Sequence, residues 1–336
     1  MKNILKHNFI LLIFLCSIVP LMIGQENRLV LVKSFPDENS NIENNYLVNP
    51  YELRIYKDYY VVSDSKSNCL KIFSRNGDFV RKIGKKGQGP GELQDPYVVA
   101  VDEKTSMLYC GDQGNSRISC FTFDGEFKNI IKTSLSIWDM ESYNGLIYAA
   151  AYNGTKQSLF SLYNNEGTLI KSFGTFFDKR INELPYNYKQ DLYSEVCLRI
   201  EKELLYVFYE RLPYISVYDL DGQLLRQIII REKQIEKVYT KNIKAYAAKR
   251  KGGFMGLAKW MNGGCVEDDR IYCYSPYEIG KMLVFDKNGN LLDKIRFEDK
   301  MSSIELMKKR FITKRRKEFI FIDWENSQIR IYELFK

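Results

Sequence analysis

The sequence predicts an all-β protein, a six-bladed β-propeller of four-stranded antiparallel blades with one helical insertion. Three observations predict this fold: a strand–turn–strand pattern that recurs along the chain, a repeat spacing close to that of propeller blades, and a spare strand near the N-terminus. The chain has 336 residues, of which 45% are hydrophobic and 14% aromatic. Closed all-β folds of this length often form one domain, so we expect a single domain over residues 25–336.

Residues 1–24 have the pattern of a signal peptide. Lys2 and Lys6 give a basic start, an apolar run follows over residues 9–23, and the chain then becomes polar. The run is shorter than a spanning helix of about 20 residues and lacks a basic flank on its far side. We therefore expect export to the periplasm or cell surface, with no transmembrane segment after signal removal. Lipid attachment at Cys16 is the alternative, which the apolar run continuing past that residue disfavours.

The repeat is an alternating apolar strand, a polar turn that ends in glycine, and a second strand. The turn glycines are Gly77, Gly125, Gly167, Gly222 and Gly289, separated by 48, 42, 55 and 67 residues. Glycine supplies the positive φ that tight hairpins need. Propeller blades repeat at about 40–50 residues, so the two longer separations indicate insertions.

Each repeat predicts four strands. In the second repeat they are Tyr97–Glu103, Met107–Asp112, Ser116–Phe123 and Glu126–Lys132. The sixth repeat shows only its two middle strands, Phe319–Asp323 and Gln328–Leu334. We expect Arg28–Ser34 to supply its outer strand, which would close the ring and cover two sheet edges. Seven blades is the alternative, if an insertion conceals a further repeat.

The two insertions have helical patterns. Within Glu232–Lys251, apolar residues recur every three or four positions, which predicts an amphipathic helix. Ser302–Arg310 predicts a second, short helix that begins with a capping box. Either helix could cover a central pocket.

Six cysteines follow the signal. Cys110/Cys120 and Cys265/Cys273 each flank a predicted hairpin turn and could form disulfides in an exported protein. The alternative is that they are free and buried as small apolar side chains. No pair has the CxxC spacing of a metal site.

One repeat resembles a known family. Gly84–Pro96 is a glycine-rich segment, and Val99–Asp102, Asp112 and Asn115 follow it in an order and spacing similar to those of the NHL repeat. The resemblance is specific for Gly84–Asp124 and partial for the first and last repeats. It implies one of the exported bacterial six-bladed propellers of that family, which act as binding modules.

Polar residues after the second strand of several repeats are the candidate binding residues. They are Asp64, Asp112, Asn115, Arg117, Asp323 and Asn326. Because they recur at equivalent positions, they could contact a ligand at one end of the propeller. The alternative is that they satisfy backbone N–H groups within their own turns.

The histidine content argues against most catalytic chemistry. The single histidine, His7, lies in the signal, so the mature chain has no Ser-His-Asp triad and no histidine-ligated metal. There is no Gly-x-Ser-x-Gly elbow and no phosphate-binding loop. We therefore expect no cofactor and no catalysis. Carboxylates that bind calcium, as in a metal-dependent hydrolase or lactonase, remain the enzymatic alternative.

The charge pattern and the fold together predict a binding function. The net charge is +8, with basic segments at Lys241–Lys251 and Lys308–Lys317. Such segments are usually solvated faces, and a patch for a polyanion is the alternative. No nucleic-acid-binding motif is present. We expect a binding module for a glycan, peptide or protein, or alternatively a structural component of an envelope complex.

Overall fold

The computed structural model describes residues 27–36, 46–133, 136–151, 158–181, 192–193, 195–248, 258–276, 280–298 and 309–335. These ranges contain 24 β-strands and one long α-helix. Four of the five sheets have four antiparallel strands that follow one another in the sequence. The predicted all-β fold of four-stranded antiparallel sheets with a helix is therefore confirmed, and these sheets fit a propeller-like architecture.

The N-terminal strand β1 (Arg28–Phe35) is followed by four regular sheets. The first sheet contains β2 (Pro50–Tyr56), β3 (Tyr59–Asp64), β4 (Cys69–Ser74) and β5 (Phe79–Ile83). The second contains β6 (Pro96–Asp102), β7 (Met107–Asp112), β8 (Arg117–Thr122) and β9 (Phe127–Lys132). The third contains β10 (Ile137–Tyr143), β11 (Leu146–Ala151), β12 (Phe160–Asn164) and β13 (Leu169–Phe173). The fourth contains β14 (Val196–Glu201), β15 (Leu204–Tyr209), β16 (Tyr214–Asp219) and β17 (Leu224–Ile229). The strands predicted for the second repeat begin and end within one residue of these bounds.

The remaining strands form an eight-stranded sheet. Its strands are β18 (Gly264–Glu267), β19 (Arg270–Ser275), β20 (Lys281–Phe285), β21 (Leu291–Phe297), β22 (Lys309–Arg315), β23 (Glu318–Asp323) and β24 (Gln328–Phe335), together with β1. β1 pairs antiparallel with β24 at seven positions but parallel with β21 at only two, Arg28 and Leu29. The sheet therefore consists of two groups of four strands that meet at β1. As predicted, the N-terminal strand lies beside the last strand of the chain.

The apolar core lies between consecutive sheets. One cluster joins the first and second sheets through Leu70 and Leu108, and similar clusters lie between each following pair. A further cluster joins β22–β24 to the first sheet through Ile320 and Tyr60. The first strands also touch in succession: β2 contacts β6, β6 contacts β10, β10 contacts β14, β14 contacts β18, β18 contacts β22, and β22 contacts β2.

The turn glycines pack against the preceding sheet. Gly77 has a φ of +83°, and a Cβ there would lie 2.8 Å from the ring of Phe35 in β1. At Gly125 the nearest atom would belong to Ile83 in β5. The pattern repeats at Gly167 with Ile131, at Gly222 with Phe173, and at Gly289 with Ile229. Glycine is needed at these turns for its positive φ and for the close approach of the neighbouring strand.

Helix α1 (Lys233–Ala248) forms within the predicted helical insertion. Its residues Ile235 and Tyr239 are buried, as the amphipathic pattern predicts. Of the second predicted helix, residues 302–308 lie outside the described ranges, and Lys309 and Arg310 begin strand β22. The signal peptide and Cys16 also lie outside these ranges. Within the described residues, no helix has the length and hydropathy to cross a membrane.

Cys110, Cys120, Cys265 and Cys273 are buried and form no disulfide, so neither considered bridge is present. Across β7 and β8, Cys110 is paired with Ser119, whereas Cys120 is paired with Tyr109. Because side chains alternate between the faces of a sheet, this offset of one residue sends the two cysteines into different cores. The same offset separates Cys265 from Cys273.

The second basic segment is partly a core strand instead of a solvated face. Phe311 and Ile312 of β22 are buried. Lys314 is half-buried and forms an ion pair with Glu267 of β18. Burial lowers the pKa of Lys314 below its usual value.

Candidate binding site

Bulges in three first strands place aromatic side chains at one end of the sheets. The strand register shifts between Pro50 and Leu53 in β2, and shifts also occur near the start of β6 and β10. The residues in these bulges include Tyr51, Tyr97 and Trp138. A bulge re-aims the side chain that it carries. All three side chains are half-buried and line one cavity of about 470 Å³, which we call the aromatic cavity.

Trp324 completes the aromatic wall of this cavity. It follows β23 and stacks on Tyr51 with an interplanar angle of 24°, and Tyr51 stacks on Tyr97 at 29°. The wall therefore draws side chains from the residue that follows β23 and from the first, second and third sheets. The indole Nε1 of Trp324 is buried and has no hydrogen-bond partner among the described residues. Buried indole N–H groups usually have an acceptor, so Trp324 is an exception.

The opposite wall carries charged groups that neutralise one another. The ammonium of Lys259 lies 2.5 Å from Glu195 and 2.7 Å from Glu210. Arg211 lies 2.8 Å from the second oxygen of Glu195. Burial opposes the charge on Lys259, but Glu210 and Glu195 outweigh it and raise the pKa of this ammonium above its usual value. This wall therefore offers donors and acceptors without a net charge.

A buried ionic network lies further along the same first strands. Arg54 of β2 forms ion pairs with Glu52, with Asp139 at 3.0 Å and with Glu141 at 3.5 Å. Arg199 of β14 lies 3.5 Å from Asp139 and donates to the carbonyl of Ile312 in β22 at 3.0 Å. Burial raises the pKa of Glu141.

The network connects strands of four different sheets or strand groups. Beyond it, a second cavity of about 420 Å³ is lined by the far ends of these strands, including Ile55, Ile200 and Arg315. The network therefore stands between the two cavities. Buried charges that are paired in this way are costly to separate.

The residues predicted as binding residues form three separate groups. Asp112 accepts hydrogen bonds from the amide of Asn115 at 2.8 Å, from Arg117 at 2.8 Å and from the backbone of Gln94 at 2.7 Å. Arg117 also donates to the carbonyls of residues 88, 89 and 92 in the glycine-rich segment. This group therefore holds the connection between the first and second sheets.

The other two groups have the same construction. Asp64 is buried, accepts from the backbone of Asn49 at 2.8 Å and lies 3.0 Å from Lys71. Asp323 accepts a hydrogen bond from the amide of Asn326 at 3.0 Å and forms an ion pair with Arg330 at 2.9 Å. Each group lies at the end of its own second strand, and none of the six residues lines the aromatic cavity. Their role in ligand binding stays a prediction.

No group of three or more histidine, cysteine, aspartate or glutamate side chains is arranged for a metal within the part of the chain that is described. The aromatic cavity itself was not identified from the sequence. A signal for it exists: the dipeptide Pro-Tyr begins both β2 and β6, at Pro50–Tyr51 and Pro96–Tyr97. An aromatic residue that recurs at the same position of successive blades faces the same end of the fold.

Comparison with known proteins gives a fold and no activity. A family model described as a domain of unknown function (DUF4934) matches residues 43–196. No curated protein matches the sequence. A Bacteroides fragilis crystal structure described as a "putative exported protein" is similar over 92% of this chain and 96% of its own, with a TM-score of 0.58 and 12% identity. Hydrazine synthase of Kuenenia stuttgartiensis is similar over 86% of this chain and 77% of its own, with a TM-score of 0.53 and 9% identity. At these identities the likeness concerns the fold alone.

Proposed function

We propose that the protein is an exported, non-catalytic binding module that holds a glycan in the aromatic cavity. We further propose that its sheets are the blades of a closed six-bladed propeller of NHL-repeat type, located in the periplasm or at the cell surface. The signal-peptide pattern of residues 1–24 supports the location. The observation that carries the function is the aromatic wall of Trp324, Tyr51, Tyr97 and Trp138.

Two features support six blades in a closed ring. The succession of contacts between first strands returns from β22 to β2. In addition, Phe35 of β1 packs on Gly77 as Ile83 of β5 packs on Gly125. β1 thus has the same relation to the first sheet that β5 has to the second. An outer strand that belongs to the last blade would be placed in this way.

The composition of the aromatic cavity favours a glycan over a charged peptide. Its volume lies within the range of about 300–1,000 Å³ that is usual for ligand pockets. Sugar rings have apolar C–H faces, which suit the flat surfaces of Tyr51 and Trp324, and hydroxyl edges, which suit the polar groups of the opposite wall. Because Lys259 and Arg211 compensate the carboxylates there, the cavity has no charge to select an ionic ligand. A neutral sugar unit fits this combination.

Calorimetric titration with neutral hexasaccharides of glucose, mannose and xylose tests the proposal. We expect at least one to bind the wild-type protein, and Trp324→Ala to weaken that binding roughly thirtyfold, as loss of a central aromatic contact worth about 2 kcal/mol would do. Tyr143→Ala is the matched control, because Tyr143 is half-buried at the opposite end of β10 from Trp138. If none of these oligosaccharides binds, or if both variants bind as the wild type does, the aromatic cavity is not a glycan site.

A further inference from the structure

Helix α1 carries a row of four lysines on one side. Lys233, Lys237, Lys241 and Lys244 are all exposed and line one surface groove, and we call this surface the lysine face. None of the four forms an ion pair with a residue in the described ranges. Glu236, the acidic residue on the same surface, is already paired with Arg180 at 2.8 Å. The lysine face therefore has four positive charges without a counterion among the described residues.

These lysines destabilise the helix when no anion is bound to them. Lys233 and Lys237 are four residues apart, as are Lys237 and Lys241, and like charges at that spacing repel. Lys233 also lies in the first helical turn, where the helix dipole disfavours a cation. A polyanion lying along the lysine face would remove both effects.

The opposite side of α1 fixes its orientation on the protein. Ile235 and Tyr239 are buried, and the Tyr239 hydroxyl donates a hydrogen bond to Asp178. Asn242 exchanges two hydrogen bonds with the backbone of Ala258, at 2.8 and 3.1 Å. Ala258 immediately precedes Lys259 in the wall of the aromatic cavity. The inner side of α1 is therefore fixed one residue from the cavity wall, and the exposed lysine face lies on the other side of the helix.

We propose that the lysine face binds an acidic polysaccharide, which it holds beside the aromatic cavity. The link between the two surfaces rests on the proposed glycan function. From Lys233 to Lys244 the helix rises about 16 Å, so the charges form a line suited to an extended polymer. The described side chains of α1 include no exposed apolar residue. Helices that lie on membranes insert such residues, so the lysine face favours a polysaccharide over a lipid surface.

The test compares two polymers with the same sugar backbone, the anionic polygalacturonate and its neutral methyl ester. Binding is measured at about 20 and 200 mM salt, because charge attraction falls as screening increases. The test variant replaces the four lysines of the lysine face by glutamine. The control variant makes the same change at four exposed lysines of the first and second sheets, Lys57, Lys104, Lys128 and Lys132. Both variants lose four positive charges.

We expect the wild type and the control variant to bind the acidic polymer more tightly than the ester at low salt, and the test variant to lose about tenfold or more of that affinity. Equal affinities for both variants would overturn the proposal. Binding to vesicles of anionic lipid is measured in the same way. If the test variant loses affinity for these vesicles but not for the acidic polymer, the proposal is overturned and the lysine face is assigned to a membrane. The neutral hexasaccharides provide the distinction from the proposed function: their binding depends on Trp324 and is unchanged by the lysine replacements.

Discussion

Strand β1 provides the sharpest test of the ring, through Leu29. The side chain of Leu29 is fully buried in a cluster with Ile295 and Tyr332. Its backbone is paired with both β24 and β21, so it lies where the two halves of the eight-stranded sheet meet. Truncation of a buried leucine to alanine typically costs about 2–5 kcal/mol of the free energy of unfolding. We expect Leu29→Ala to have a cost in this range if β1 is a permanent part of the fold.

Val32 provides a control within the same strand, because 46% of its side chain is exposed. Val32→Ala should change the free energy of unfolding by no more than about 0.5 kcal/mol. Urea unfolding followed by tryptophan fluorescence compares the two variants, and hydrogen exchange at the amides of β24 reports whether β1 still protects them. Equal midpoints for the two variants, with unchanged exchange in β24, would mean that β1 is not required and that the ring argument is wrong.

Two further predictions concern glycine packing and pH. Gly77→Ala should destabilise the protein by about 1–3 kcal/mol more than Gly145→Ala in the same urea assay. Both glycines have positive φ, but a Cβ would lie 2.8 Å from Phe35 at Gly77 and 3.9 Å from Asn165 at Gly145. Similar losses of stability in the two variants would contradict the packing argument. Burial raises the pKa of Tyr60 from 10.0 to about 12. The folded protein therefore keeps this proton at a pH where the unfolded chain has lost it, so stability falls as the pH rises from 10 toward 12. Tyr60→Phe should therefore reduce the fall in stability over this interval by up to about 1.4 kcal/mol per pH unit, and an unchanged slope would show that Tyr60 does not titrate in this way.

The regular parts of the fold could be predicted because their cause is local. A strand such as Met107–Asp112 has its own alternating pattern, and Gly125 fixes the turn that follows in the same unit. Strand β22 is harder to predict from its sequence, because Lys309–Arg315 contains four basic residues. Its strand conformation depends on a hairpin with β23 and on contacts with β18, which is distant in sequence. Charge along the chain therefore concealed a strand that tertiary contacts stabilise.

The recurring Pro-Tyr dipeptide is the sequence signal for the candidate site, but the geometry of that site depends on strand register. Whether Cys110 faces Cys120 is decided by a shift of one residue between strands, and no local propensity specifies that shift. In the same way, bulges determine that Tyr51 and Tyr97 point toward a common cavity. For Asp112, by contrast, the position in the repeat alone predicts either a binding residue or a turn residue. Its hydrogen bonds lie within its own turn and the adjoining connection.

The aromatic cavity bears on the proposed ring, because its wall crosses the junction where that ring would close. Trp324 belongs to the strands beside β1, whereas Tyr51 belongs to the first sheet, and the two rings stack across that junction. Ile320 and Tyr60 pack in the apolar cluster that joins the same two groups of strands. A ligand that contacts both Trp324 and Tyr51 binds only the closed arrangement, so it must stabilise the junction by its own binding free energy. A change that loosens this junction should therefore also weaken the binding of such a ligand.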